Sequence, residues 1–222
     1  MSKVVFDIET VGIPFEDFDE HQKEYWLKFA TDEEQMELLK GQTALSPLTG
    51  FVCSISLLNP QTQKGQTISV GSEENYTAED GLEYIFVPNE SDLLSQFWDI
   101  AKRFDQFISF NGRGFDAPYL MIRSAVHKIR PTKNLMGYRY DSKLHCDLAD
   151  QLGFYGAMRK AMPLHFYLKA FNIPTSKDGE VKGVEVTQAF RDGKIKAIAE
   201  YCMRDVIATA KLYEYWDYYI NV

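Results

Sequence analysis

The chain has 222 residues, 45% of them hydrophobic, which is enough to build a substantial buried core. No apolar run reaches the length of a membrane-spanning helix, and no charged-then-apolar leader opens the chain, so the expectation is a soluble, cytosolic protein. The net charge of −8 argues against a protein that coats long stretches of nucleic acid. That charge is uneven: residues 1–119 carry 8 Lys/Arg against 21 Asp/Glu, and residues 120–199 carry 14 against 7. The asymmetry fits an acidic catalytic side facing a basic side that guides a polyanion, and equally a solvated surface of uneven charge. Cys53, Cys146 and Cys202 are odd in number and widely spaced, which predicts reduced thiols, two in strands and one on a helix.

With no internal repeat or long linker, the expected organisation is a single domain over residues 1–222. The segment "KVVFDIETVG" at 3–12 reads as a short interior strand, because Val4, Val5, Phe6 and Ile8 are β-branched or aromatic. Asp7 and Glu9 interrupt it. Side chains alternate along a strand, so both acids leave the same face about 6 to 7 Å apart at the backbone. Residues 15–41 read as a helical insert, its second helix starting at Thr31, where "TDEE" matches a capping box with Glu34. "FVCSISLLN", "PQTQKG" and "QTISVG" follow as strand, turn and strand of an antiparallel hairpin.

A helix is predicted from Glu90 to Arg103, with Leu93, Leu94, Phe97 and Ile100 at three- and four-residue spacing. "QFISF" is a short buried strand, broken by "NGRG", whose glycines allow a tight turn before a helix that begins near Asp116. Further elements are a strand at 143–149, a short helix at 163–171, a mobile loop in "SKDGEVKG" and a long terminal helix at 194–219. A hairpin followed by alternating helices and strands makes an α/β fold: a mixed central β-sheet flanked by α-helices.

Three acidic motifs stand out. Buried ions cost several kcal/mol each unless compensated, so Asp7 and Glu9 either sit exposed at a strand edge or meet a cation. Asp116, at a helix start, is a carboxylate held ionised by the helix dipole or an ordinary cap. Tyr201 and Asp205, four apart, share one face of the last helix, near the border of a packed side made by Ala197, Ile198, Val206 and Ala210. Taken singly each motif is weak, since acid-x-acid pairs such as Asp17-x-Asp19 are common in a chain with 32 acids.

In order, "FDIET", "FNGRGFDAPYL" and "YCMRDVIATAKLY" give D-x-E, N-x3-F-D and Y-x3-D across Asp7 to Tyr213. This resembles the three exonuclease motifs of the DEDD superfamily in its tyrosine branch, and most of all the proofreading exonuclease domain of family-B DNA polymerases. The resemblance implies a ribonuclease H-like fold, here as a stand-alone relative without polymerase palm or fingers. In the sibling histidine branch a His stands five residues before the last aspartate; here that residue is Glu200.

The resemblance implies that Asp7, Glu9, Asp116 and Asp205 bind two divalent cations, with Asp7 bridging and Asp116 acting partly through water. Hard oxygen donors suit Mg²⁺ or Mn²⁺, and no His/Cys cluster competes. It assigns Tyr201 to orienting the attacking water, with a nucleoside 5′-monophosphate leaving a 3′ end. Thr10 and the adjoining backbone are implied to meet the terminal nucleotide, while Asn111 and Phe115 shape its pocket. The basic and aromatic stretch "RPTKNLMGYRYDSK" at 130–143, with Arg159 and Lys160, is a candidate surface for single strands or a solvated loop. His145 and His165 read as packing or surface residues, and Asp147 and Asp150 fall outside the metal set. The expected activity is 3′-5′ exonucleolytic hydrolysis of DNA, single-stranded or frayed; the alternatives are an exoribonuclease and a nucleic-acid-binding module without turnover. No motif identifies a polymerase or helicase partner.

Overall fold

The computed structural model describes residues 1–174 and 183–222. In chain order these form β1 (Lys3–Gly12), α1 (Glu20–Leu27), α2 (Glu33–Lys40), β2 (Gly50–Leu58), β3 (Gly65–Val70), β4 (Tyr76–Thr77) and β5 (Glu83–Val87). Then come α3 (Glu90–Ala101), β6 (Gln106–Ser109), α4 (Asp116–Val126), β7 (His145–Asp147), α5 (Leu148–Leu152), α6 (Leu164–Ala170), α7 (Val186–Arg191) and α8 (Ile195–Tyr219). Among the described residues no helix is long and apolar enough to cross a membrane.

The strands make one mixed sheet in the order β4-β5-β3-β2-β1-β6-β7. β1 lies inside it, antiparallel to β2 and parallel to β6, which explains why its apolar run is nearly continuous. β7 is parallel to β6, so the carboxyl ends of β1, β6 and β7 meet at one end of the sheet. Phe6, Ile8, Ile55 and Ile68 pack against Leu93, Leu94 and Phe97 of α3 and Leu120 of α4. Val5, Leu58 and Cys146 pack on the other face against Met203, Val206 and Leu212 of α8. Strand alternation therefore turns Asp7 and Glu9 towards α8. Their partners on β2, Ser56 and Ser54, share that face and hydrogen-bond Thr67 and Ser69 of β3 at 2.8 Å. Small hydroxylated side chains thus line the sheet beside the acids. Opposite the Glu9–Thr10 step β2 carries one extra residue, Cys53, which bulges the ladder where β1 leaves the core.

Most expected elements are present, with local corrections. The α2 cap is Asp32, whose carboxylate accepts from Gln35 N, so the capping residue lies one position beyond Thr31. Thr31 instead donates its N–H to Gln35 Oε1. The strand expected at 143–149 is only His145–Asp147, because Asp147 accepts from Ala149 N and starts α5 at once. β4, β5, α5 and α7 are additional elements. Of "SKDGEVKG", residues 176–182 lie outside the described residues, and Gly183 opens a 3₁₀ turn before α7. All three cysteines are free and buried, Cys53 and Cys146 in strands and Cys202 on α8.

One buried ionic cluster anchors α4. The Glu90 carboxylate accepts from Val52 N at 2.7 Å and from Arg123 Nη2 at 2.6 Å, and it lies 2.6 Å from His127 Nε2. Arg123 also donates to Pro47 O, which ties α3, α4, β2 and the end of the insert together. Arg123→Ala strips a buried carboxylate of its arginine and is expected to lower the unfolding free energy in urea by about 3 kcal/mol. A loss below about 1 kcal/mol would mean that His127 and the Val52 N–H suffice.

Candidate active site

Asp7 and Glu9 project from β1 beneath α8. Their carboxylates and the Cys202 thiol offer atoms within 4.8 Å of one another. Cys202, immediately after Tyr201, points at β1: its Sγ is 3.5 Å from the Asp7 backbone oxygen and 4.0 Å from Asp7 Oδ2. Burial, and then Asp7 and Glu9, push the thiol pKa well up, so the sulfur stays protonated and is a poor metal ligand.

The third acid arrives on a shaped loop. Asn111 takes the left-handed conformation (φ 61°), and the chain turns through Gly112 and Gly114 into α4. The residue with the demanding backbone is thus Asn111; the glycines are needed for close approach. A Cβ at Gly112 would land on Ser109 Oγ, and one at Gly114 would stand 2.6 Å from Asn111 Oδ1. Asp147 fastens the loop, accepting from Asn111 N at 2.7 Å and Arg113 N at 2.9 Å. Asp116 is the first residue of α4, whose N-cap is Phe115, so it is not the cap itself. Its Oδ1 accepts from Ile8 N at 3.0 Å, which joins the helix start to the strand between the two other acids.

α8 supplies the rest. Tyr201 and Asp205 share one face, and the tyrosine hydroxyl hydrogen-bonds the Asp205 side chain. Gly183 comes close on the other side: a Cβ there would stand 3.3 Å from Tyr201 Oη. Of the predicted packing positions, Ile198, Val206 and Ala210 are buried and Ala197 is partly so.

Three of the carboxylates are perturbed, and Asp205 contributes to each shift. Burial raises the Asp7 pKa well above the ordinary range, followed by the charges of Asp116, Asp205 and Glu9. Glu9 is raised likewise by burial, then by Asp205 and Asp116. Asp116 is pushed up to about 7 by burial, against two backbone hydrogen bonds that favour its charge, with Asp147 and Asp205 adding to the rise. Tyr201 is raised by burial, Asp205 and Glu9, and remains a phenol at neutral pH. No Lys or Arg among the described residues forms an ion pair with Asp7, Glu9 or Asp116. An all-oxygen acidic set short of cations suits a hard divalent ion such as Mg²⁺ or Mn²⁺.

The other predicted site residues are placed differently. The Thr10 hydroxyl donates to Ala44 O at 2.9 Å, so its side chain is already committed. Asn111 and Phe115 flank Asp116 on the loop, and the Phe115 ring packs on Tyr119 with centroids 5.3 Å apart. His145 is a core residue, its Nδ1 3.0 Å from Leu135 O and its Nε2 2.7 Å from Ser109 Oγ. Burial lowers its pKa, so it is neutral. Asp150 is held by Arg139 at 2.6 Å. Sequence reading missed the part of Cys202, whose signal was its place beside Tyr201, and that of Asp147, which had no local signal.

The raised Asp116 pKa has a consequence for stability. Unfolded, the carboxyl titrates near 4; folded, near 7. Between those values the native state holds a proton that the unfolded state has lost, so this group's stabilisation is complete below about pH 4 and disappears as pH rises through about 7. Asp116→Asn should therefore stabilise the metal-free protein at pH 8 and reduce the fall of its melting temperature between pH 5 and pH 8, the remainder belonging to Asp7 and Glu9, read by calorimetry. An unchanged pH profile would mean that Asp116 titrates normally.

The description "Predicted 3′-5′ exonuclease related to the exonuclease domain of PolB" belongs to a family that matches residues 49–219. That span contains Asp116, Tyr201 and Asp205 and leaves β1 outside. The fold is similar to that of the family B DNA polymerase from the hyperthermophilic archaeon Pyrobaculum calidifontis, with a TM-score of 0.62 and 16% identity. The similarity covers 97% of this chain and 24% of the polymerase, so the chain spans about a quarter of that protein's length. No curated protein sequence matches the chain. The mixed sheet with flanking helices is ribonuclease H-like, and the chain belongs to the family of predicted 3′-5′ exonucleases related to the exonuclease domain of family-B DNA polymerases.

Proposed function

We propose that the protein is a metal-dependent 3′-5′ exonuclease that removes nucleoside 5′-monophosphates from single-stranded or frayed DNA ends. The observation that carries this reading is geometric: Asp7 and Glu9 of β1 offer oxygens within 4.8 Å of the Cys202 sulfur on α8, and Asp116 of α4 is hydrogen-bonded to Ile8 N between them, with Asp205 near enough for its charge to act on all three. Family membership supports the polarity of digestion. Asp7, Glu9, Asp116 and Asp205 would hold divalent ions such as Mg²⁺ or Mn²⁺, which when bound would supply nucleophile activation and leaving-oxygen stabilisation for an in-line displacement.

The chain's own groups then have distinct tasks. The Ile8 N–H fixes Asp116 before substrate arrives, so the site needs little rearrangement at that corner. Tyr201, kept protonated by burial and its acidic neighbours, gives its one proton to Asp205 and orients the attacking water by accepting from it at the hydroxyl oxygen; it is not the base. Asn111 and Phe115, on the loop beside Asp116, border the terminal nucleotide. The backbone around Thr10 meets the same nucleotide, while the Thr10 side chain braces β1 against Ala44.

With Mn²⁺ or Mg²⁺ the protein should shorten a 5′-labelled single strand stepwise from its 3′ end, and EDTA should stop it. Asp7→Ala should lower the rate on the order of a thousandfold with an unchanged circular dichroism spectrum. Tyr201→Phe should cost roughly tenfold to a hundredfold in kcat with little change in KM. Parallel digestion of DNA and RNA of equal sequence separates the two polymer specificities, and faster loss of the RNA would overturn the DNA assignment. An Asp7→Ala protein of wild-type activity would remove the site assignment.

A further inference from the structure

The segment 136–160 carries features that the acidic site does not use. Tyr138 and Tyr140 are 74% and 60% exposed, large aromatic faces left in solvent. Their ring centroids are 5.6 Å apart at 62°, and that of Tyr140 in turn lies 4.8 Å from that of Tyr155 at 56°, so the three tyrosines form a contiguous ledge of rings set at steep angles, each able to offer a face separately. Tyr155 is held in place at a cost: both it and Phe154 are left-handed, with φ of 52° and 47°, a conformation that bulky L-residues avoid. Gln151 donates to the Tyr155 hydroxyl at 2.6 Å and secures the ring.

Arg139 of the ledge segment and the loop before Asp116 line one groove. A groove of about 220 Å³ runs between Asn111, Arg113, Gly114, Met136, Arg139 and Asp150. Its wall at Asn111 and Gly114 is the same loop whose far side delivers Asp116. Charge points in the same direction. Residues 128–160 carry seven Lys/Arg against three Asp/Glu. Of those three, Asp147 caps backbone N–H groups and Asp150 is engaged by Arg139. Arg139 donates to Asp150 only through Nη2, and its side chain is 59% exposed, which leaves guanidinium N–H groups for a phosphate. Across the site, residues 13–48 carry nine Asp/Glu against three Lys/Arg and repel a polyanion.

We propose that Tyr138, Tyr140 and Tyr155, with Arg139 beside them, form a stacking platform for the unpaired nucleotides upstream of the 3′ end. On this account the single strand leaves the acidic cluster over the β7 edge, through the groove, and away from the acidic insert. Every base has a π-face, so stacking of this kind holds strands of any sequence while the arginine tracks the backbone. The proposal rests on the exonuclease reading for the identity of the strand, and the test separates the two.

The experiment measures binding of a fluorescein-labelled 12-nucleotide single strand by anisotropy in EDTA, where no turnover is required. Tyr138→Ala combined with Tyr140→Ala is expected to weaken the strand's Kd about tenfold or more, and Tyr138→Trp with Tyr140→Trp to preserve or tighten it. The rescue by tryptophan separates stacking from a general loss of fold. A Kd within about twofold of wild type in the double alanine variant overturns the platform, whatever the activity. If the wild type cuts the strand with Mn²⁺ and the alanine variant binds normally, only the platform falls. If the wild type binds through the tyrosines and never cuts, the platform stands and the exonuclease reading falls.

Discussion

The fold is organised around like charges held close together at the margin of the core, Glu9 and Asp116 buried and Asp7 and Asp205 half-buried. The pKa values of Asp7, Glu9 and Asp116 are raised, chiefly by burial, and the charge of Asp205 adds to each. Such a cluster opposes folding, so the surrounding structure has to hold it. The restraints are identifiable: Ile8 N binds Asp116 across 108 residues of chain, Asp147 fixes the loop before it, and the Glu90–Arg123–His127 cluster clamps α4 to α3 and β2. Each keeps an acid where its own repulsion would not. Sites that depart from the rule of paired buried charge are where proteins store function at the expense of stability.

The same arrangement explains the lining of the sheet. Opposite the acids β2 and β3 place Ser54, Ser56, Thr67 and Ser69 instead of leucines or valines, and these pair with one another so that no buried hydroxyl is left over. Cys202, between Tyr201 and the rest of α8, adds a protonated thiol next to Asp7. Small neutral groups here leave space beside the carboxylates and add no charge to an already crowded cluster. Along the chain the charge is uneven, acidic in residues 13–48 and basic in residues 128–160.

Much of this was legible in the sequence because the main elements carry strong periodic signals. β1, the β2–β3 hairpin, α3 and α8 were readable from continuous or helically spaced apolar residues, while the candidate acids stood out only through the resemblance that their motif order carries. The elements that escaped are short or marked by competing signals. β7 has three residues, and the Asp147 that ends it also starts α5, so local pattern merges strand and helix. β5 pairs parallel with β3, and that partnership is invisible to local reading. At α2 both Thr31 and Asp32 are good caps, and only the folded backbone decides for Asp32. Asp147 and Cys202 act on groups 34 to 36 and 195 residues away, contacts that no spacing along the chain encodes. Thr10 shows the converse: the motif pointed to it, but its hydroxyl is spent on Ala44.

The central claim is that these acids exist to hold a pair of divalent cations. Electron paramagnetic resonance during a Mn²⁺ titration of the metal-free protein tests it most directly. The account predicts two spin-coupled ions per chain, with the coupling lost on Asp7→Asn. A signal from uncoupled, weakly held Mn²⁺, unaltered by that substitution, would contradict it.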